Sequence, residues 1–177
     1  TVYTEPFKGE VPAKLSQAIE DHISKNQVGG VIIATEPMIH KAYSKWALSQ
    51  GLNILLDKPI TTRKNVVFDI NQAKGVLQDY DELLSDYQNL QHTKETVFMV
   101  NSQRRFHRGF KFVSEKIKEV AKITNCPINF IQAYHSDGQW RFPSEIVTQD
   151  YHPYCFGYGK ASHSGYHIFD TALEFYK

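Results

Sequence analysis

The sequence predicts an α/β chain: a parallel sheet built from β-α-β units, followed by the start of a second α/β domain. Three observations predict it. Val31-Ile32-Ile33-Ala34 is an apolar run of strand length that breaks at Thr35-Glu36-Pro37. A segment of helical period follows, ending at Gly51 before a second apolar run, Leu52 to Leu56. A third apolar run, Thr96 to Val100, comes after a longer stretch of helical period. Strands alternating with helices give parallel sheets with right-handed crossovers, and open sheets of this kind bind ligands at the carboxyl ends of their strands. Thr35 and Asp57-Lys58-Pro59 are therefore expected at neighbouring strand ends, with Lys58 at the mouth of the sheet.

Taken in order, Leu15, Ala18, Ile19, His22 and Ile23 predict a helix from about Pro12 to Asn26, closed by Gly29-Gly30. Those glycines precede a strand, whereas a phosphate loop follows one, so they read as punctuation. From about Thr62 to Leu90, Val66, Ile70, Ala73, Leu77, Tyr80, Leu84 and Tyr87 fall on one stripe, predicting a long helix or helix pair. Asp79, Asp81, Glu82 and Asp86 among them read as a solvated acidic face. Thr96 to Val100 reads as a buried strand, Phe106 to Ala121 as a helix with Phe110, Val113 and Ile117 on one face, and Ile128 to Tyr134 as a further strand. From His135 to Gly159 the sequence has no period and is rich in Gly, Pro, His and aromatic residues. Long irregular segments of this kind are commonly binding loops, so it reads as substrate-facing.

Bulk composition excludes several classes. With 177 residues, 41% of them hydrophobic and 13% aromatic, the chain can bury a core. A net charge of +1, with interleaved signs, offers no attraction for nucleic acid or an anionic membrane. No apolar run approaches the roughly 20 residues of a membrane span, and the polar start is no signal peptide, so cytoplasm is the default location. Cys126 and Cys155 have no metal-binding or disulfide-framework spacing and are expected to be buried thiols.

Ala34-Thr35-Glu36-Pro37-Met38-Ile39-His40, Asp57-Lys58-Pro59, Arg104-Arg105-Phe106-His107 and the run Gly159 to Asp170 occur in an order that resembles the glucose-fructose oxidoreductase and inositol dehydrogenase family. That family carries A-T-x-P-x-x-H, a strand ending in E-K-P, and a helix of pattern G-G-x-x-x-D-x-G-x-H-x-x-D. Asp57 replaces the family's glutamate, one methylene shorter with the charge kept. The resemblance implies a partial Rossmann-type parallel sheet, residues 1–102, as the second half of a dinucleotide-binding domain. It implies that residues 103–177 begin an α/β substrate domain. The turn G-x-G-x-x-G, where helix N-terminal amides hold pyrophosphate, is absent from these residues, so this polypeptide alone is expected to bind the cofactor poorly and to be inactive.

The resemblance further implies NAD or NADP as cofactor, a sugar or polyol substrate, and a homo-oligomer at full length. Oxidising an alcohol needs a hydride acceptor, a base for the hydroxyl proton and positive charge beside the developing alkoxide. Lys58 and His167 fit the last two roles and are expected to converge on one small cavity. His163, four residues earlier on the same predicted helix, stands where the family has aspartate. That replacement removes the anion that would orient His167; Asp170 is either a partial substitute or a core or capping carboxylate. Thr35, Pro37, His40, Lys58 and Pro59 would lie along the nicotinamide, although Thr35 can equally cap the following helix. Arg105, Trp140, Arg141, His152 and Asp170 are the substrate candidates, against a plain surface Arg105, a core Trp140 and a hydrogen-bonded structural His167.

Two other classes compete. A metal-dependent hydrolase would use His135, Asp137, His152, His163 and His167, two of them at i and i+4, although no H-E-x-x-H accompanies them. A non-catalytic sugar-binding or regulatory protein on a retired dehydrogenase scaffold would explain His163. The acidic residue that selects NAD over NADP belongs to the absent first β-α-β unit, so the choice is not written here.

Overall fold

A computed structural model describes residues 9–136, 142, 144, 148 and 155–176. Two compact units result, the first within residues 1–101 together with 156–158, the second within 102–155 and 159–177. The first unit is α/β. Strands β1 (Gly30–Ile33), β2 (Asn53–Leu56) and β3 (Phe98–Val100) form a parallel sheet in the order β1-β2-β3, with Ile33 opposite Leu56 and Leu56 opposite Val100. Helix α1 (Ala13–Asn26) precedes β1, α2 (His40–Ser49) joins β1 to β2, and α3 (Ile70–Gln91) joins β2 to β3.

The strand alternation decides where the core lies. Ile33, Ile54 and Leu56 point to one face and pack with Ala47 and Leu48 of α2 and Leu83 of α3. Ile32 and Met99 point to the other and are 73% and 50% exposed. Parallel sheets are ordinarily covered on both faces. Here the third apolar run is therefore not the buried strand expected from its sequence; its alternate residues face solvent.

Helix α3 starts at Ile70, eight residues later than the stripe suggested, because Asp69 caps it: its carboxylate accepts from the Asn71 amide at 2.8 Å. The residues before it are held elsewhere. Asn65 adopts φ 62° and donates its amide to the Phe156 carbonyl at 2.8 Å, while Val67 donates to that of Gly157. Gly157 has φ 70°, and a Cβ there would stand 2.9 Å from the Asn65 Cα, so this strap requires glycine. Its next residue, Tyr158, is buried and donates its hydroxyl to Glu36 at 2.8 Å. Burial, with that hydrogen bond, pushes the phenol above its ordinary value.

The acidic face of α3 is only partly solvated. Asp81 is exposed and Glu82 and Asp86 are half-buried, but Asp79 is 4% exposed and receives Lys41 Nζ at 2.5 Å, Arg63 Nε at 2.8 Å and Arg63 Nη2 at 2.6 Å. Gly75, one turn earlier, makes this possible, since a methyl group there would overlap the Arg63 guanidinium. Gly75→Ala, which ordinarily gains about 1 kcal/mol in a helix, is therefore expected to lose about 1 kcal/mol net, by displacing a charged hydrogen-bond pair from Asp79. On an Arg63→Ala background the same change should regain about 1 kcal/mol. Urea denaturation of the four proteins measures both, and stabilisation by Gly75→Ala alone would refute the account.

In the second unit, a 3-10 turn (Gln103–Phe106) leads into α4 (Arg108–Thr124), with α5 (Gly159–Ser162) and α6 (Tyr166–Phe175) later in the chain. Ile128 to Tyr134 is not a strand: among the described residues no ladder partner meets it, and β-forming residues alone do not sustain one. Cys126 and Cys155 are exposed, correcting the expectation of buried thiols; the first follows the αL cap of α4 at Asn125 and the second lies in a turn. Among the described residues no helix is long and apolar enough to cross a membrane.

Candidate functional site

Strands β1 and β2 run parallel and end together, so the elbows that follow them are neighbours by register. After β1 come exposed Thr35 and half-buried Glu36 and Pro37; after β2 come half-buried Asp57 and Lys58 and buried Pro59, with a cis Lys58–Pro59 peptide. His40 joins them. It is fully buried, with Nδ1 2.8 Å from the Pro59 carbonyl and Nε2 3.1 Å from the Thr35 carbonyl. Its ring therefore holds the two elbows in register and is not itself presented to a ligand. Capping falls to Glu36 instead of Thr35, its Oε2 accepting from the Met38 amide at 2.9 Å.

Sequence reasoning missed Thr61 and Thr62. Both are 3% exposed, both hydroxyls lack a hydrogen-bond partner among the described residues, and they line a cavity of about 450 Å³ with Glu36, Arg63 and Asp79. A hydroxyl two and three residues beyond Pro59 carries no sequence signal, because threonine is equally at home in a loop.

The second unit places His167 on α6, 5% exposed, its ring edge-on to Tyr166 with centroids 6.0 Å apart. It lines a cavity of about 270 Å³ that is also walled by Arg104, His135, Phe110 and Phe175. His163 is not on this helix. The chain leaves α5 at Ser162 and re-enters helix at Tyr166, with Gly165 between them donating its amide to the Lys160 carbonyl at 2.8 Å. A Cβ on Gly165 would lie 3.0 Å from that carbonyl, so the tight approach at this turn favours glycine. The expectation of one shared helical face for His163 and His167 is corrected accordingly.

Arg105 and Asp170, both expected at the substrate, are paired with each other. Arg105 Nε donates to Asp170 Oδ2 at 3.0 Å, Nη2 pairs with Oδ1, and Nη1 lies 3.3 Å from Glu174. The Asp170 hydrogen bond pushes the guanidinium pKa further up despite partial burial. This bidentate pair fixes α6, and with it His167, to the turn after β3. Trp140, Arg141, His152 and Asp137 lie outside the described residues. Among the described residues no three His, Cys, Asp or Glu side chains stand together as a metal site.

No protein-family model matches this chain, and no curated protein matches it in sequence. Its fold is similar to that of the WlbA (WbpB) dehydrogenase from Thermus thermophilus, solved in complex with NAD and UDP-GlcNAcA, with a TM-score of 0.56 and 18% identity over 93% of this chain and 46% of that one. It is also similar to an NAD-binding protein from Listeria innocua, with a TM-score of 0.51 and 19% identity over 92% of this chain and 43% of that one. The chain thus spans less than half the length of either neighbour.

Proposed function

We propose that this chain is part of an NAD(P)-dependent oxidoreductase related to the glucose-fructose oxidoreductases and inositol dehydrogenases. It would move a hydride between a nicotinamide cofactor and the hydroxyl-bearing carbon of a sugar, inositol or related polyol. The observation that carries this reading is the pair of strand-end elbows, Thr35 to Pro37 and Asp57 to Pro59, tied together by the buried His40. The fold of the NAD-bound Thermus thermophilus neighbour, and the sugar in its ligand, support it.

The exposed Thr35 and half-buried Lys58 fit the nicotinamide end of such a cofactor. The cofactor supplies the hydride acceptor when bound. In this reading the Lys58 ammonium stabilises the alkoxide, and the His167 imidazole takes the hydroxyl proton. His163 contributes a second imidazole in place of the family's aspartate, and the Arg105–Asp170 pair keeps α6 in place. Thr35, Pro37 and Pro59 shape the cofactor's edge.

Titrating the full-length protein with NADH and with NADPH, following nicotinamide fluorescence, tests the reading. Saturable binding of at least one is expected, and the preferred one identifies the cofactor. Binding of neither overturns the proposal. His163 favours one second reading, a sugar-binding protein that has kept the scaffold and lost the reaction; saturable cofactor binding without turnover on any polyol would select it.

A further inference from the structure

Two adjacent arginines in the second unit have opposite electrostatic circumstances. Arg105 is neutralised by Asp170 and Glu174. Arg104, exposed beside it, makes no ion pair among the described residues, and it lines the cavity that contains His167. No aspartate or glutamate among the described residues lines that cavity. The lining instead brings in His135, whose Nε2 is buried and has no hydrogen-bond partner among the described residues. A buried polar atom left unpaired costs free energy until a ligand or a water meets it. A permanent cation and an unsatisfied imidazole nitrogen, with no anion among the described residues to balance them, make a site for negative charge.

We infer that the His167 cavity recognises an oxyanion through Arg104 and His135, and that its substrate is an acidic monosaccharide bearing a carboxylate or a phosphate. This rests on reading His167 as part of a substrate site. The planar guanidinium fork matches either oxyanion with two parallel hydrogen bonds. The rest of the wall suits a sugar ring: Phe110, Tyr134 and Phe175 provide apolar faces. A volume of about 270 Å³ holds one sugar unit.

Calorimetric titration of the full-length protein without cofactor, using glucuronate, glucose 6-phosphate and glucose at one ionic strength, tests this. At least one acid should bind about tenfold or more tighter than glucose, and added salt should weaken the acids alone. Whichever acid is preferred identifies carboxylate or phosphate. Arg104→Gln and His135→Gln should each erase most of that preference and leave glucose affinity within about twofold; thermal melting confirms that they fold. Arg104→Lys, which keeps the charge and loses the fork, should retain part of it. Glucose binding as tightly as both acids, no binding of either acid, or an Arg104→Gln protein with its preference intact would overturn the inference. Acid preference in a protein that binds neither NADH nor NADPH leaves the oxyanion site standing and removes the dehydrogenase; cofactor binding without acid preference does the reverse.

Discussion

Lys58→Ala in the full-length protein is expected to lower turnover by about 10²–10³-fold, with the melting temperature within about 2 °C of wild type. Lys58 follows β2 directly, at the carboxyl end of a strand whose Ile54 and Leu56 are core residues, and it is half-buried. A solvated lysine has no need of so fixed a place. Charge that develops on an oxygen during hydride transfer is best stabilised by a group already oriented before the reaction, and an ammonium on a strand end has little reorganisation to undergo. Pro59 is held by His40 and by burial, so removing the ammonium should leave the fold intact. Steady-state kinetics on the best polyol substrate separate the terms: the loss should fall on kcat and on kcat/KM alike, as for an interaction made only in the transition state. A protein that turns over at more than half the wild-type rate would remove Lys58 from the reaction, whatever its cofactor affinity.

The β-α-β frame was legible because strand, helix and strand are each a local pattern, and because Gly51 and the Pro37 and Pro59 elbows punctuate them. The two strand-end elbows were legible for the same reason. What the sequence hid was pairing at a distance. Asp79 looked like one more carboxylate on an acidic helix, and only its approach to Lys41 and Arg63, 38 and 16 residues away, makes it a buried anion. Arg105 and Asp170, 65 residues apart, were each assigned to a ligand when they are ligands for one another. The helix presumed to carry both His163 and His167 failed over a single residue, Gly165, whose role depends on how closely it passes the Lys160 carbonyl. Periodicity reports which face an element presents; it does not report what stands opposite.

Asp79→Ala is expected to cost about 2–4 kcal/mol, lowering the melting temperature by roughly 5–12 °C for a chain of this size. Removing the carboxylate leaves Arg63 without its ion-pair partner in a half-buried position, where an uncompensated charge is worse than no charge at all, while Lys41 keeps Glu82 at 2.8 Å. The cost falls toward the lower end of the range for buried pairs because Lys41 and Arg63 are 24% and 33% exposed and water can partly solvate them. Acid dependence gives a second signature. Burial alone would raise the Asp79 pKa, but hydrogen bonds and charge from Arg63 and Lys41 outweigh it and hold the carboxyl below its ordinary value of 3.8. A carboxylate whose folded value is depressed contributes stability that is fully present above its unfolded value and disappears as pH falls through the folded one. Wild type and Asp79→Ala should therefore differ by a constant amount from about pH 8 to pH 5 and converge as the pH drops below about 4. Denaturant titrations across that range provide the measurement. A gap that persists undiminished down to the lowest pH at which both proteins remain folded would mean that Asp79 stabilises the first unit through its packing, with the two cations contributing nothing.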